Sequence, residues 1–258
     1  MNMHRTEGPD PPPPTTAPAC CPIVELRQYT LHPGMRDVLV ELFDRELVET
    51  QEAVGMRVIG QFRDLDDPDR FVWLRGFPDM PARAESLAAF YGGPTWKAHR
   101  EAANSTMVDS DDVLLLRPAR SSAGFTLRGR RRPPRDAGEP SSGLIAATLY
   151  SFETPVDATF LDLFDLALEP ALAEAGAEVL ACLVTEDAAN TFPALPVREG
   201  EHVFACFARF PGAAPVDRHR VALARCHSRL RSSRDLRQRP TGSPAVLRLE
   251  PTARSLLR

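Results

Sequence analysis

The residues best suited to chemistry lie on two predicted strands. Glu25, Arg27 and Tyr29 alternate along the first, and Trp73 and Arg75 alternate along the other. Since successive strand side chains point to opposite faces, each set shares one face of a sheet. A guanidinium offers a planar fork of donors for an anionic or carbonyl oxygen. We therefore predict catalytic roles for Glu25 (proton transfer) and Arg75 (oxyanion stabilisation). Arg27, Tyr29 and Trp73 are predicted to bind substrate.

A second group of candidates lies on the predicted helix in "GPTWKAHREAAN". The imidazole of His99 titrates near neutral pH and could serve as a general acid or base. We predict that Trp96, Arg100 and Asn104 line the same site. The alternative is structural: Trp96 packs as an anchor, and a single helical histidine such as His99 has no chemical role.

Composition limits the class of protein. The chain has 258 residues, a formal charge of -4 and 43% hydrophobic residues. This charge gives no general attraction to nucleic acid or anionic membranes, and no apolar run has the length of a membrane helix. The N-terminus lacks the apolar core of a signal peptide. Five cysteines without a repeated spacing favour reduced thiols over disulfides or a metal site. We expect a cytoplasmic protein without bound metal.

The order of predicted elements divides the chain into four parts. Residues 1–22 are rich in proline and are predicted to be disordered. Residues 23–118 read as strand, helix, strand, strand, helix, strand, which is the ferredoxin-like order. Residues 119–142 are dense in arginine and are predicted to form an interdomain linker or surface loop. Residues 143–258 read as a second, degenerate ferredoxin-like domain.

A repeated spacing indicates that the two domains arose by tandem duplication. "FP" precedes "VLLLRP" with 35 positions from Pro78 to Val113, and it precedes "VLRLEP" with 35 positions from Pro211 to Val246. Two matches at one interval predict an internal repeat.

The second copy does not repeat the candidate site. Arg229 and Ser232 stand where the first copy has Trp96 and His99. We therefore expect the site to lie mainly in the first domain, with the second domain supplying a wall.

The burial of these side chains depends on which face of each sheet the helices cover. We expect the helices to cover the apolar face, so that the two uncovered faces press together as an α+β barrel with the charged and aromatic residues inside it. Buried charges must be paired. Glu25 could thus belong to an ion-pair network that only holds the sheets together, or to a ligand cavity.

Several segments resemble a known family. "VELRQYTLHPG", "FVWLRGFPDMPAR", "FYGGPTWKAHREAAN" and "LRLEPTARSLL" are similar to a bacterial NIPSNAP protein. The resemblance implies the dimeric α+β barrel fold, whose members include antibiotic-biosynthesis monooxygenases, muconolactone isomerase-like enzymes and haem-handling relatives of chlorite dismutase. It also implies a homodimer or higher homo-oligomer.

Three functions remain open. The first is a cofactor-independent enzyme of secondary or aromatic metabolism, an oxygenase, isomerase or cyclase, that holds a carbonyl or anionic small molecule. The second is a non-catalytic ligand-binding or assembly module. The third is haem binding with His99 as the axial ligand. The sequence contains no nucleophile motif, phosphate loop or dinucleotide fingerprint.

Overall fold

Two units with the same order of strands follow each other along the chain. The computed structural model describes residues 19–138, 143–211 and 237–258. The first unit contains β1 (Ile23–Leu31), α1 (Arg36–Leu42), a π-helical turn (Phe43–Leu47), α2 (Val48–Glu52), β2 (Arg57–Asp64), β3 (Arg70–Phe77), α3 (Met80–Gly92), α4 (Pro94–Asn104) and β4 (Met107–Pro118). The second unit contains β5 (Leu144–Phe152), α5 (Ala158–Leu163), a π-helical turn (Phe164–Leu168), α6 (Glu169–Glu174), β6 (Glu178–Thr185), β7 (His202–Phe210) and β8 (Ala245–Pro251). The predicted helical region between β7 and β8 falls largely on residues 212–236, outside the described residues.

The strands of both units close one barrel. Their order is β1-β3-β2-β8-β5-β7-β6-β4. The fourth strand of each unit pairs with the second strand of the other, β4 with β6 and β8 with β2. The predicted α+β fold with tandem ferredoxin-like repeats is confirmed, and the barrel closes within a single chain.

The duplication is visible in the spacing of the elements. β1 begins at Ile23 and β5 at Leu144, 121 positions later, and the two π-helical turns keep this spacing. β3 ends at Phe77 and β7 at Phe210, 133 positions later. Extra residues therefore lie between the second and third strands of the second unit.

The π-helical turns are a property of the repeat. In the second unit Pro170 is the second residue after the turn, and a proline there lacks the N–H of a regular helix. The equivalent position of the first unit is Glu49, which has no such restriction, yet the turn is still present. Proline is therefore not its cause. Turns of this type often occur near functional sites.

The barrel interior is apolar, and this corrects the predicted orientation of the sheets. Val24 and Leu26 of β1 and Leu74 of β3 pack there with side chains from the second unit. The opposite face, which carries the charged and aromatic set, lies beneath the helices. The ring centroid of Phe43 in the π-helical turn lies 4.8 Å from that of Trp73.

Barrel closure explains this orientation. It gives the Val and Leu set of the first unit an equally apolar partner surface in the second unit, and burying that area is favourable. A charge placed in this interior would find no partner and would cost several kcal/mol, on the order of the desolvation penalty. On the helix side, polar side chains from helices and loops can pair with it.

The arginine-rich segment after β4 is more than a solvated linker. Phe125 and Leu127 are buried in the barrel core, where the ring centroid of Phe125 lies 5.2 Å from that of Phe207. The Arg132 guanidinium donates a 2.7 Å hydrogen bond to the carbonyl oxygen of Arg254. The segment therefore contributes to the core shared by the two units.

The N-terminal arm is described only from residue 19, where Cys21 is already buried. The prediction of disorder for the rest of the arm lies outside the described residues. In the described part of the chain, every helix is too short or too polar to cross a bilayer.

Candidate functional site

Glu25 is the centre of a buried ion cluster between the sheet and the helices of the first unit. Arg75 lies directly opposite Glu25 on β3 and donates from Nε to Oε2 at 2.7 Å. Arg27 donates from Nη1 to the same oxygen at 2.8 Å. Arg83 of α3 donates from Nε to Oε1 at 2.7 Å. Each of the four residues is at most 1% exposed. We call this group, Glu25, Arg27, Arg75 and Arg83, the arginine cluster.

The position of Arg83 follows from the start of its helix. Asp79 caps α3, since its Oδ1 accepts a 2.7 Å hydrogen bond from the backbone N–H of Ala82. Pro81 fits the first turn, where a backbone N–H would have no helical partner. Arg83, one turn further, is buried with Leu87 on the face that meets the sheet.

Aromatic side chains surround the guanidinium groups. Arg27 Nε donates to the hydroxyl of Tyr29 at 3.0 Å, and Arg75 Nη1 donates to the hydroxyl of Tyr91 at 3.4 Å. The Cζ of Arg75 lies 5.0 Å from the Trp73 ring centroid, and the Cζ of Arg27 lies 5.6 Å from it. A cation near an aromatic ring at these distances is stabilised by the ring quadrupole.

The cluster changes the pKa of its members. Burial alone would raise the pKa of Glu25, but the charges of Arg75, Arg27 and Arg83 outweigh burial and hold it well below its usual range. Burial acts to lower the pKa of Arg27, and its neighbours Tyr29 and Glu25 raise it further than burial lowers it. Burial raises the pKa of Tyr29. At neutral pH, Glu25 is therefore a carboxylate and Tyr29 a neutral phenol.

The cluster has more positive than negative charge and more donors than acceptors. Three guanidiniums share the single carboxylate of Glu25. Among the residues that the structure describes, Arg75 Nη2, Arg83 Nη2 and Trp73 Nε1 are buried without a hydrogen-bond partner. Unpaired buried donors of this kind carry a desolvation cost. An anionic oxygen would compensate both the charge and the donors.

The residues predicted on α4 are not all brought to this cluster. His99 is half-buried and its Nε2 lies 3.8 Å from a carboxylate oxygen of Glu46. Arg100 and Asn104 are exposed. Trp96 is half-buried, and its ring centroid lies 5.0 Å from that of Tyr91. Tyr91 in turn contacts Arg75, so Trp96 reaches the cluster only through Tyr91. Trp96 therefore supports the aromatic wall, whereas His99 lies beside a different carboxylate.

Sequence reasoning missed three members of the site. Arg83 belongs to the arginine cluster, and Gln51 and Tyr91 contact it. Gln51 Oε1 accepts a 3.3 Å hydrogen bond from Arg75 Nη1. A signal for Arg83 was present, because it precedes Leu87 by four positions and Phe90 by seven. A charge on the apolar stripe of a helix indicates a buried partner.

The strands of the second unit carry different residues at the positions equivalent to the cluster. The strand pair equivalent to Glu25 and Arg75 is Ala146 and Ala208, in the same register. Thr148 and Cys206 stand opposite each other where the first unit has Arg27 and Trp73. Among the described residues, the charged strand pair therefore occurs in the first unit and not at the equivalent positions of the second.

Two hollows lie elsewhere on the surface. One of about 570 Å³ is lined by Arg45, Arg63 and Arg254 among others, and one of about 290 Å³ includes Arg120 and Cys182. Neither is lined by the arginine cluster. Within residues 19–138, 143–211 and 237–258, no group of three or more His, Cys, Asp or Glu side chains is placed to hold a metal ion.

The comparison with known proteins agrees with the fold. The NIPSNAP family model matches residues 24–123, from the start of β1 to just beyond β4. Residues 24–123 form a NIPSNAP domain. This domain contains all four members of the arginine cluster. No curated protein sequence matches the chain.

Similar solved structures extend the likeness to both units. A Fusobacterium nucleatum protein provisionally named a monooxygenase has a TM-score of 0.55 at 10% identity, over 90% of this chain and 93% of that one. A Lactobacillus acidophilus protein with the same provisional name has a TM-score of 0.50 at 11% identity, over 90% and 94%. An uncharacterised NIPSNAP domain protein from Burkholderia xenovorans is 18% identical, with a TM-score of 0.35, over 38% of this chain and 94% of that one. At these identities, the first two show a shared fold.

Proposed function

We propose that the NIPSNAP domain binds a small carbonyl or anionic compound at the arginine cluster and promotes its reaction by stabilising an oxyanion. The observation that carries this proposal is the surplus of charge: three buried guanidiniums surround one carboxylate, and the Nη2 atoms of Arg75 and Arg83 have no partner among the described residues. Uncompensated buried charge is costly, and a ligand oxyanion would remove that cost. The site is placed between sheet and helices, instead of the barrel interior that the sequence suggested.

The chemistry follows from the donors. Guanidiniums fixed in a buried site stabilise a developing enolate or phenolate oxygen, and each such donor lowers a reaction barrier by about 3 to 4 kcal/mol. Arg75 is the proposed catalytic residue, and Arg27 binds the substrate. Tyr29, Trp73 and Trp96 supply the aromatic wall. The reaction type is a cofactor-independent oxygenation, isomerisation or cyclisation in secondary or aromatic metabolism. Two similar structures carry provisional monooxygenase names, which favours oxygenation.

The role proposed for Glu25 changes. A carboxylate with a strongly lowered pKa is a weak base at neutral pH. Glu25 therefore holds three arginines in position, and its effect on substrate is indirect. His99 is still a candidate for proton transfer only if the substrate extends to α4.

A minimal probe tests this function. Pyruvate carries a carboxylate, a carbonyl group and an enolisable methyl group. We expect the protein to accelerate exchange of the methyl protons in deuterated water, followed by proton NMR, because the arginines stabilise the enolate oxygen while solvent or buffer base takes the proton. Arg75→Met should abolish the acceleration. Benzoate binding by calorimetry measures the anion site without turnover. If neither probe shows an effect of Arg75→Met, the proposed site is wrong.

A non-catalytic binding module is the second candidate. It is favoured by one observation, namely that the only carboxylate in the cluster is already paired with three arginines. Benzoate binding that depends on Arg75, without any pyruvate exchange, would decide for this role. We also propose a homodimer or higher homo-oligomer, which sedimentation of the purified chain would reveal.

A further inference from the structure

The second unit has a long connection where the first has a short one. Between β2 and β3 the chain uses five residues, Leu65–Asp69, whereas between β6 and β7 it uses sixteen, residues 186–201. We call residues 186–201 the strap. It accounts for the increase in the spacing between equivalent residues of the two units.

Both ends of the strap are fixed to β4 of the first unit. The backbone N–H of Glu186 donates to the carbonyl oxygen of Leu115 at 2.8 Å, and that of Arg198 donates to the carbonyl oxygen of Val113 at 2.8 Å. The Arg198 guanidinium also lies 3.0 Å from Asp112 Oδ1. These anchors direct the middle of the strap towards α3.

The middle of the strap reaches the arginine cluster. Arg83 Nη1 donates to Asn190 Oδ1 at 3.0 Å and to Thr191 Oγ1 at 3.2 Å. The Thr191 hydroxyl donates to the carbonyl oxygen of Met80 at 3.2 Å. The ring of Phe192 stacks on that of Tyr91, with centroids 6.0 Å apart and an interplanar angle of 25°. Asn190 Oδ1 also accepts from the N–H of Phe192 at 3.0 Å.

The strap is a thin cover over a deeply buried group. Arg83 has no exposed surface, yet Thr191, which it contacts directly, is exposed and Asn190 is half-buried. The other sides of the cluster are formed by strand ladders and by helices, which cannot open without breaking many hydrogen bonds. Among the described residues, Thr191 is exposed and in direct contact with the guanidinium of Arg83, so opening of the strap would bring that group to solvent.

We propose that the strap is the gate of the site, and that Asn190 and Thr191 are positioning residues that hold Arg83 until a ligand oxygen takes their place. The gate rests on the proposed function for its ligand, a small anion or carbonyl compound. The two strap oxygens are neutral, and an anionic oxygen forms a stronger hydrogen bond with a guanidinium. Ligand entry therefore competes successfully with the strap, and Phe192 leaves Tyr91 as the strap opens.

The two units contribute different parts to the gated site. The second unit has alanines at positions 146 and 208, where the first has Glu25 and Arg75, and its long connection covers the arginine cluster of the first unit. Each copy thus contributes a different part to a single site per chain.

Fluorescence quenching tests the gate without a known substrate. The chain has two tryptophans, so Trp96→Phe leaves Trp73, beside Arg75, as the reporter. Iodide serves as the anionic probe and acrylamide as the neutral one. In this background we compare Asn190→Ala/Thr191→Ala and Phe192→Ala with Ala194→Ser, a conservative change at an exposed strap position.

We expect the first two variants to increase quenching of Trp73 by both probes by about tenfold. Two hydrogen bonds to a charged group no longer oppose opening in Asn190→Ala/Thr191→Ala, and the stacking of Phe192 on Tyr91 no longer opposes it in Phe192→Ala. Ala194→Ser should leave it unchanged. The gain should be larger for iodide than for acrylamide. If quenching in the first two variants equals that of the parent while circular dichroism shows intact folding, the strap is not the gate. If quenching by iodide and by acrylamide increases equally and benzoate does not bind, the strap is a gate but the proposed anion site is wrong.

Discussion

Replacing Glu25 with glutamine is the sharpest test of the ion cluster. The side chain keeps its shape and one oxygen acceptor but loses its charge. Three guanidiniums, from Arg27, Arg75 and Arg83, then remain buried without a carboxylate among the described residues. The perturbation is electrostatic, because it leaves the packing volume unchanged.

The expected loss of stability is large. Removing one partner of a buried ion pair costs about 3 to 5 kcal/mol. For a chain of this length, each kcal/mol lowers the midpoint of thermal unfolding by about 2 to 4 °C, so we expect a decrease of about 6 to 20 °C. The matched control is Glu41→Gln, which removes an exposed carboxylate 3.0 Å from Arg45 at helical spacing. This control should change stability by less than about 0.5 kcal/mol.

The pH dependence has a defined sign. The folded pKa of Glu25 lies below the ordinary value of 4.5, so its stabilising contribution is fully present above that pH. The contribution is lost as the pH falls through the folded pKa. The difference in unfolding free energy between wild type and Glu25→Gln should therefore be constant from about pH 5 to pH 7 and shrink below about pH 4.

Urea unfolding at several pH values measures both quantities, and formate provides a rescue. In Glu25→Ala, formate that occupies the space of the missing carboxylate stabilises the folded state by mass action, so it should raise the unfolding midpoint of Glu25→Ala more than that of wild type. A Glu25→Gln variant within about 1 kcal/mol of wild type at pH 7, together with no response of Glu25→Ala to formate, would refute the surplus charge and with it the anion site.

Three further predictions address the rest of the molecule. Phe125→Ala should cost about 3 to 5 kcal/mol by urea unfolding, as expected of a core aromatic residue, whereas a solvated linker would show no change. Glu49 pairs with Arg254, whose hydrogen bond lowers the pKa of Glu49 to about 2. Glu49→Gln should remove less than about 1 kcal/mol, since Glu49 is half-exposed. The full loss is expected above about pH 4.5, where the unfolded carboxylate is charged, and it should shrink as the pH falls towards 2; an equal loss at pH 2 would contradict this. Ala146→Glu should destabilise the second unit by several kcal/mol, about the cost of an unpaired buried charge. Adding Ala208→Arg should restore part of it, and additive losses in the double variant would exclude pairing across β5 and β7.

The alternation along β1 and β3 separated the side chains correctly into two sets. Alternation cannot say which set the helices cover, because both sets are buried in this fold. The deciding factor is the closure of the barrel, which gives Val24 and Leu74 an apolar partner surface from a segment more than a hundred residues away. The charged set then had to lie beneath the helices.

Only some members of the arginine cluster could be predicted from the sequence. Glu25, Arg27 and Arg75 stand out on their strands, but Arg83, Asn190 and Thr191 approach from a helix and from the other unit. The apolar stripe of α3 indicates that Arg83 is buried but not which residue it contacts, and Asn190 and Thr191 have no local signal at all. His99 is the opposite case. Its imidazole predicted a role in proton transfer at the site, but α4 places it beside Glu46.

The sequence by itself determined the repeat, the strand and helix order, the NIPSNAP resemblance and the presence of the charged strand residues Glu25, Arg27 and Arg75 in the first copy. All of these follow from local periodicity and residue type. The tertiary structure decided which sheet face meets the helices, how many arginines share Glu25, and that the second copy covers the site of the first. Those outcomes depend on packing between distant segments, where the cost of an unpaired charge selects the arrangement.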